Sequence, residues 1–265
     1  HFHEKFCREL CASLSMPLWV GRRRVTQKMA SEAAARELRF AYIDRMMRRV
    51  GAKGLWLGHQ QNDVAETMLM RLSRGSGAGG LAAPRPVQVM PQGRVNVRPL
   101  LNLQRTEIET ALRTAKLPWR EDASNRGDDF FRNRIRNEVL PAWIKASGRD
   151  ALAGAGLSRT LIEEDDEALE EWAERLYTKM PTGKLRLTDM EDVPLAVSRR
   201  VLYRWLHALP KAGELSRQAF EQLLERVCLG ESTRQSLGRE GFAVIRKRVL
   251  EYESEASCRS KSRKS

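Results

Sequence analysis

Gly54 to Leu81 reads GLWLGHQQNDVAETMLMRLSRGSGAGGL and leaves the backbone few options. Gly54 to Leu57 is a short apolar run, read as a buried strand. It stops at Gly58-His59-Gln60-Gln61-Asn62-Asp63, six residues with little reason to sit in a core. Val64, Met68, Leu69 and Leu72 then recur at helical spacing and mark a buried stripe. Asp63 is expected to cap this helix or to sit in its first turn. Glu66, three residues on, supplies the second half of an Asp-x-x-Glu capping box. Arg71 and Arg74 put cations at the helix's negative end, and Gly75-Ser76-Gly77 stops it. In open α/β sheets, ligands bind beyond the carboxyl ends of the strands, which is where the polar cluster falls. Spacing alone fits two readings. One is a capped helix with a solvated start. The other is a pair of carboxylates beside His59 that binds a cationic or metal-chelated ligand.

The flanking sequence supplies a repeating rhythm. Phe6, Leu10, Cys11 and Leu14 form a helical stripe, and Pro17 to Val20 is expected as a strand before the basic Arg22-Arg23-Arg24. A second helix is expected from about Ser31 to Val50, with Ala34, Leu38, Tyr42, Ile43 and Met46 inward. Arg36 and Arg39 fall on or beside that face, either snorkelling to water or aimed at an anion near the strand ends. Val95 to Leu100 alternates as a strand that Pro99 ends, and Thr106 is expected to cap a short helix reaching Ala115. Helix and strand in alternation point to a Rossmann-like α/β fold with a parallel sheet. Trp119 to Asn137 is dense in Arg, Asn and Asp with aromatic residues between them. It suits a solvated helix start, or phosphate and base contacts.

A boundary is expected in the Ala-, Gly- and Ser-rich stretch from Ala146 to Gly156. It divides a domain over 1–148 from a smaller, mostly helical one over 155–252, with a basic disordered tail over 253–265. Leu157, Leu161, Ala168, Trp172 and Leu176 form one stripe of an acidic helix. Leu185 to Leu187 and Phe242 to Ile245 read as strands. Helices are expected around Val201 to Leu209 and from Ser216 to Gly230.

The 265 residues suffice for one large domain or two ordinary ones. No apolar run reaches the roughly 18 residues of a membrane span. Forty-seven Lys and Arg against 34 Asp and Glu leave a formal charge of +13, which favours a polyanionic partner, nucleic acid first. Four cysteines without a Cys-x-x-Cys pair suggest free thiols in a reducing cytoplasm and no zinc site, with Cys7 and Cys11 facing a core. The chain opens on His1 rather than Met and is expected to be a fragment.

Four pieces together resemble the tRNA(Ile)-lysidine synthase family: SEAAARELRFAY from Ser31, the Gly58 to Leu81 stretch, RPLLNLQRTEI from Arg98, and WREDASNRGDDFFRNRIRNEVLP from Trp119. They stand in the family's order at similar spacing. The resemblance implies an N-type ATP pyrophosphatase followed by a small helical domain that binds tRNA. It implies adenylation by ATP of the wobble cytidine of a tRNA(Ile) with a CAU anticodon, then displacement of AMP by free lysine to leave lysidine. ATP and Mg²⁺ would be needed, the ion bridging the triphosphate. By the same resemblance Asp63 and Glu66 are the partners of lysine. Arg39, His59 and Arg132 serve the nucleotide or the adenylated base, with Arg36, Asn133 and Arg136 as second-rank candidates. No tightly held metal is implied, and a homodimer is left open.

Two departures from the family pattern matter. Its Ser-Gly-Gly-x-Asp-Ser loop is absent, and without those backbone amides the chain as it stands is expected to be nearly inactive. Gln60 stands where the family usually has a second histidine. The rival readings are a catalytically dead tRNA-binding protein and another tRNA-modifying ATP pyrophosphatase. The latter would be expected to carry a cysteine motif.

Overall fold

The strand that leads into the polar run forms, but it is short and not the buried one expected: β1 covers Gly54–Trp56, with Leu55 half-buried and Trp56 exposed. The computed structural model describes residues 2–22, 32–91, 93–120, 130–178, 180, 183–209, 215–238 and 241–254. The chain divides into two units, His1–Glu163 and Glu164–Ser265.

In the first unit, α1 (Phe2–Ser13) and α2 (Glu32–Val50) precede β1, and α3 (Gln61–Leu72) and α4 (Ala78–Leu81) follow it. Then come β2 (Val87–Val89), β3 (Val95–Val97), α5 (Arg105–Thr114) and α6 (Phe131–Arg134). A π-helical turn over Ile135–Val139 leads into α7 (Leu140–Ser147), and α8 (Ala151–Thr178) continues past the division. The sheet order is β1-β3-β2, with β1 and β3 parallel in the register Gly54↔Val95 to Trp56↔Val97. The α3 crossover makes this a βαβ unit of Rossmann-like type. The sheet is not wholly parallel. β2 and β3 lie five residues apart in sequence and pair antiparallel, with Met90 N–H donating to the Arg94 carbonyl at 2.8 Å. So short a connection allows only an antiparallel pair.

Packing departs from the sequence pattern in several places. Residues 16–20 pair with no described strand, and Trp19 is exposed, so the strand expected at Pro17 to Val20 does not form. Leu38 lies on the outer side of α2, and Cys7 on the outer side of α1. Most of the apolar stripe expected on α8 faces outward: Leu157, Leu161 and Trp172 are exposed, Leu176 packs against the core, and Leu152, Ala155, Arg159, Asp166 and Ala173 are buried. The Ala-Gly-Ser stretch expected as a boundary is helical. Gly148 ends α7 at φ 63°, the Asp150 carboxylate accepts the Ala153 N–H at 2.9 Å, and Ala151 starts α8. Its small residues serve close packing: a Cβ on Gly156 would meet Gln61 Nε2 at 2.9 Å.

The second unit adds β4 (Lys184–Arg186), a 3₁₀ turn over Leu187–Met190, α9 (Leu195–Ala208), α10 (Arg217–Leu229), β5 (Thr233–Ser236), β6 (Gly241–Arg246) and β7 (Val249–Ser254). The four strands form an antiparallel sheet in the order β4-β7-β6-β5. β7 takes up Glu253 and Ser254, the first two residues of the expected tail; 255–265 lie outside the described residues. Ser216 caps α10 by accepting the Ala219 N–H, and Gly230 ends it at φ 66°. Its core gathers Leu185, Val197, Val201, Leu202, Trp205, Leu223, Leu224, Ile245 and Leu250. The acidic face of α8 meets arginines of α9. Arg200 binds Asp166 at 2.6 Å, and Arg204 binds Glu170 at 2.8 Å. No helix among the described residues is long and apolar enough to cross a membrane.

Leu202 is fully buried in this core. Leu202→Ala is expected to cost about 2–5 kcal/mol, read as a lower urea midpoint in circular dichroism. An unchanged midpoint would show that the core repacks around the gap.

Candidate active site

Two parallel strands bring the polar residues together. Trp56 is opposite Val97, and the Leu57 N–H carries the ladder on by donating to the Val97 carbonyl at 2.8 Å. The chain leaving β1 passes through His59 into α3. The chain leaving β3 continues at once as Arg98. Residues after both strands therefore share the carboxyl edge of the sheet, the ligand side of an open α/β sheet.

The start of α3 differs from the expected capping box. Gln60 is the N-cap, and Asp63 reaches back so that its Oδ2 accepts the Gln60 N–H at 2.9 Å. Asp63 is thus the third helical residue, and Glu66 lies a turn deeper. Its neighbours in the polar run are also engaged. The Asn62 side-chain oxygen accepts the Arg105 N–H at 3.2 Å, and Gln61 is buried against Gly156. The start of α5 shows the same shift. Its N-cap is Gln104, not Thr106, and Glu107 accepts the Gln104 N–H at 2.6 Å.

Glu66 is 1 % exposed and would be intolerable there as a lone carboxylate. Arg132 Nε donates to its Oε2 at 2.8 Å. Arg136 grips it with both ends of the guanidinium fork, Nε to Oε1 at 2.6 Å and Nη2 to Oε2 at 2.9 Å. Arg132 also donates through Nη2 to Asp63 Oδ1 at 2.5 Å, and Arg136 Nη2 stands 3.7 Å from that oxygen. Two carboxylates one turn apart on α3 are thereby held by two arginines on the α6 segment, through short, charge-assisted bonds. The bond to Glu66 raises the Arg136 guanidinium above its usual value.

His59 is half-buried, and its Nδ1 accepts from Arg98 Nε at 3.2 Å. Burial holds its imidazole below the usual range. The charge of Asp63 raises it, while Arg98, Arg132 and Arg36 lower it. Arg36 therefore acts on the site at a distance, while its guanidinium packs over the Phe40 ring 5.1 Å away. Asn133 is half-buried beside Arg132. Arg39 stands apart on the exposed side of α2, with no hydrogen bond or ion pair to a described residue. The structure thus brings His59, Asp63, Glu66, Arg132 and Arg136 together and leaves Arg39 outside the cluster. Sequence reasoning assigned no role to Arg98, although its place directly after a strand and before Pro99 puts it at the ligand edge. The Gly-rich run after α3 forms α4, whose Gly80 carbonyl accepts from Arg71 at 2.5 Å.

A family profile described as the PP-loop domain matches residues 1–143. The chain is 36% identical over 212 residues to a tRNA(Ile)-lysidine synthase of Symbiobacterium thermophilum, covering 74% of this chain and 44% of that protein. It is 37% identical over 216 residues to the tRNA(Ile)-lysidine synthase of Geobacter sulfurreducens, covering 78% of this chain and 44% of that protein. With the protein of that name from Streptomyces coelicolor it shares 33% over 219 residues, 82% of this chain and 61% of the relative. The chain spans about half the length of the curated relatives it matches.

Removing the charge of Glu66 strands two guanidinium groups. Glu66→Gln is expected to cost about 3 kcal/mol, at the low end for a buried pair because both arginines still touch water. Urea unfolding of the purified chain measures it, and an unmoved midpoint would mean that water satisfies the arginines without Glu66.

Proposed function

The chain belongs to the PP-loop family, and on that footing we propose that it works as a tRNA(Ile)-lysidine synthase. The observation that carries the reading is the meeting of His59, Asp63, Glu66, Arg132 and Arg136 at the carboxyl ends of parallel strands. In this reading the wobble-cytidine carbonyl oxygen attacks the α-phosphate of ATP, and pyrophosphate leaves. The amine of free L-lysine then adds to the activated carbon, AMP leaves, and a proton is lost.

The cluster fits those charges. Asp63, Glu66, Arg132 and Arg136 balance one another, and Arg36 and Arg98 add positive potential toward His59. That excess suits a nucleotide phosphate. Asp63 keeps some contact with water and is the carboxylate within reach of a lysine amine. Glu66 is spent on orienting Arg132 and Arg136. Arg132 links the two carboxylates and serves ATP or the adenylated base, with Asn133 beside it and Arg39 reserved for an approaching substrate. Among the described residues no three His, Cys, Asp or Glu side chains gather as a metal site. Mg²⁺ enters as the ion that travels with the triphosphate of ATP and neutralises its charge. The formal charge of +13 serves the backbone of a tRNA(Ile) with a CAU anticodon, with the second unit as its holder. The place of work is the cytoplasm, and two copies acting together are compatible with this scheme.

The test is lysine-dependent AMP release from ATP and tRNA(Ile) by the complete protein that carries this sequence. Asp63→Asn should raise the KM for lysine about tenfold or more, as loss of a charged hydrogen bond does, with the KM for ATP little changed. Equal loss for both substrates would assign Asp63 to the nucleotide or the fold. AMP release that ignores lysine would sink the reading.

A further inference from the structure

We propose that Arg98 is a positioning residue that holds His59 as a neutral imidazole with its proton on Nε2, so that His59 offers the site an N–H donor and is not its proton acceptor. The use of that donor by a substrate rests on the function proposed above; the tautomer does not.

The argument begins with a buried cation. Arg98 is 6 % exposed, and no carboxylate pairs with it among the described residues. Its three contacts are all neutral: Nη1 donates to the Arg85 carbonyl at 2.6 Å, Nη2 to Gln88 Oε1 at 3.3 Å, and Nε to His59 Nδ1 at 3.2 Å. A guanidinium has no lone pair to offer, so in the Arg98–His59 contact Nδ1 must accept and carries no hydrogen. A neutral ring then holds its one proton on Nε2. A doubly protonated ring would turn an N–H against the guanidinium N–H and lose the bond.

Arg98 is placed firmly enough to impose this. Its own N–H donates to the Pro86 carbonyl at 2.8 Å, directly after the Trp56↔Val97 register. The charged groups acting on the imidazole come from four elements. Arg98 follows β3, Arg132 lies on α6, Arg36 on α2, and Asp63 on α3. Three cations oppose one anion, and that anion is shared with Arg132 at 2.5 Å. Burial works in the same direction as the cations. No hydrogen bond to a described residue engages Nε2, which stays available to a bound oxygen. The proton lost by an attacking amine must therefore go elsewhere.

The chain holds four histidines, so replacing His1, His3 and His207 by Gln leaves His59 as the sole one. Long-range ¹H–¹⁵N spectra of that protein, labelled in histidine and free of ATP, lysine and RNA, read the tautomer and the titration directly. The expected spectrum is a single Nε2–H form at pH 7 with a midpoint below the usual histidine value near 6.5. Arg98→Met should give a mixture of tautomers and move the midpoint up. An Nδ1–H spectrum, a midpoint at the usual value, or an Arg98→Met protein with both features unchanged would overturn the proposal. If Arg98→Met does not fold, the first spectrum still decides. An Nε2–H His59 in a protein that fails the lysine assay would keep Arg98 in this role and remove only the substrate reading.

Discussion

The buried carboxylate of Glu66 is the constraint on which the first unit depends. Its surroundings cannot solvate it, so two guanidinium groups must reach it across a separation of 66 and 70 residues in sequence. That requirement draws the α6 segment against α3. The backbone of the segment adapts through its π-helical turn. Ile135 and Leu140, five residues apart, are both buried, and the Leu140 N–H donates to the Ile135 carbonyl. An ordinary α-helix brings residues four apart onto one face; the wider turn brings five. Arg132 and Arg136 reach Glu66 from the same segment that turns Ile135 and Leu140 into the core.

The polar run after β1 gains its meaning from this arrangement. Gln60 caps α3 and gives its N–H to Asp63, Gln61 is packed against the start of α8, and Asn62 accepts from the start of α5. His59 is tied to the end of the neighbouring strand through Arg98. Six residues that look solvated in sequence thus join four separate segments. Such a run is costly to bury unless each group finds a partner, and the partners here come from far along the chain.

The two units hold themselves together differently. The buried apolar residues of the first mix alanines (Ala65, Ala82, Ala151 and Ala155) with Val64, Leu101, Ile135, Leu140 and Leu152, and its tightest contacts are between charges. The second has a broad apolar core around Trp205, whose indole N–H donates to the Gly183 carbonyl at 3.1 Å. Its charge ladder between α8 and α9 lies at the edge of that core.

Local pattern was enough to find α2, α3, α9 and α10, the strands β1, β3, β4 and β6, and the polar cluster of His59, Asp63 and Glu66, whereas Arg132 and Arg136 entered as candidates through the family resemblance. Helical spacing, a glycine stop and a serine cap act within a few residues and can be read there. Which face of a helix is buried, and which cap is used, depends on what arrives from elsewhere. On α8 the acidic Asp166 is buried because Arg200 of α9 meets it, while Leu157, Leu161 and Trp172 of the apolar stripe stay exposed. The capping box moved from Asp63 and Glu66 to Gln60 and Asp63 because Glu66 was claimed by arginines about seventy residues away. Arg98 gained its place beside His59 only through the register of two parallel strands. Sequence by itself determined the elements and the chemical types at the site. Tertiary structure alone decided their pairing, because a charge or a lone pair is satisfied by whichever group the fold brings within hydrogen-bond reach.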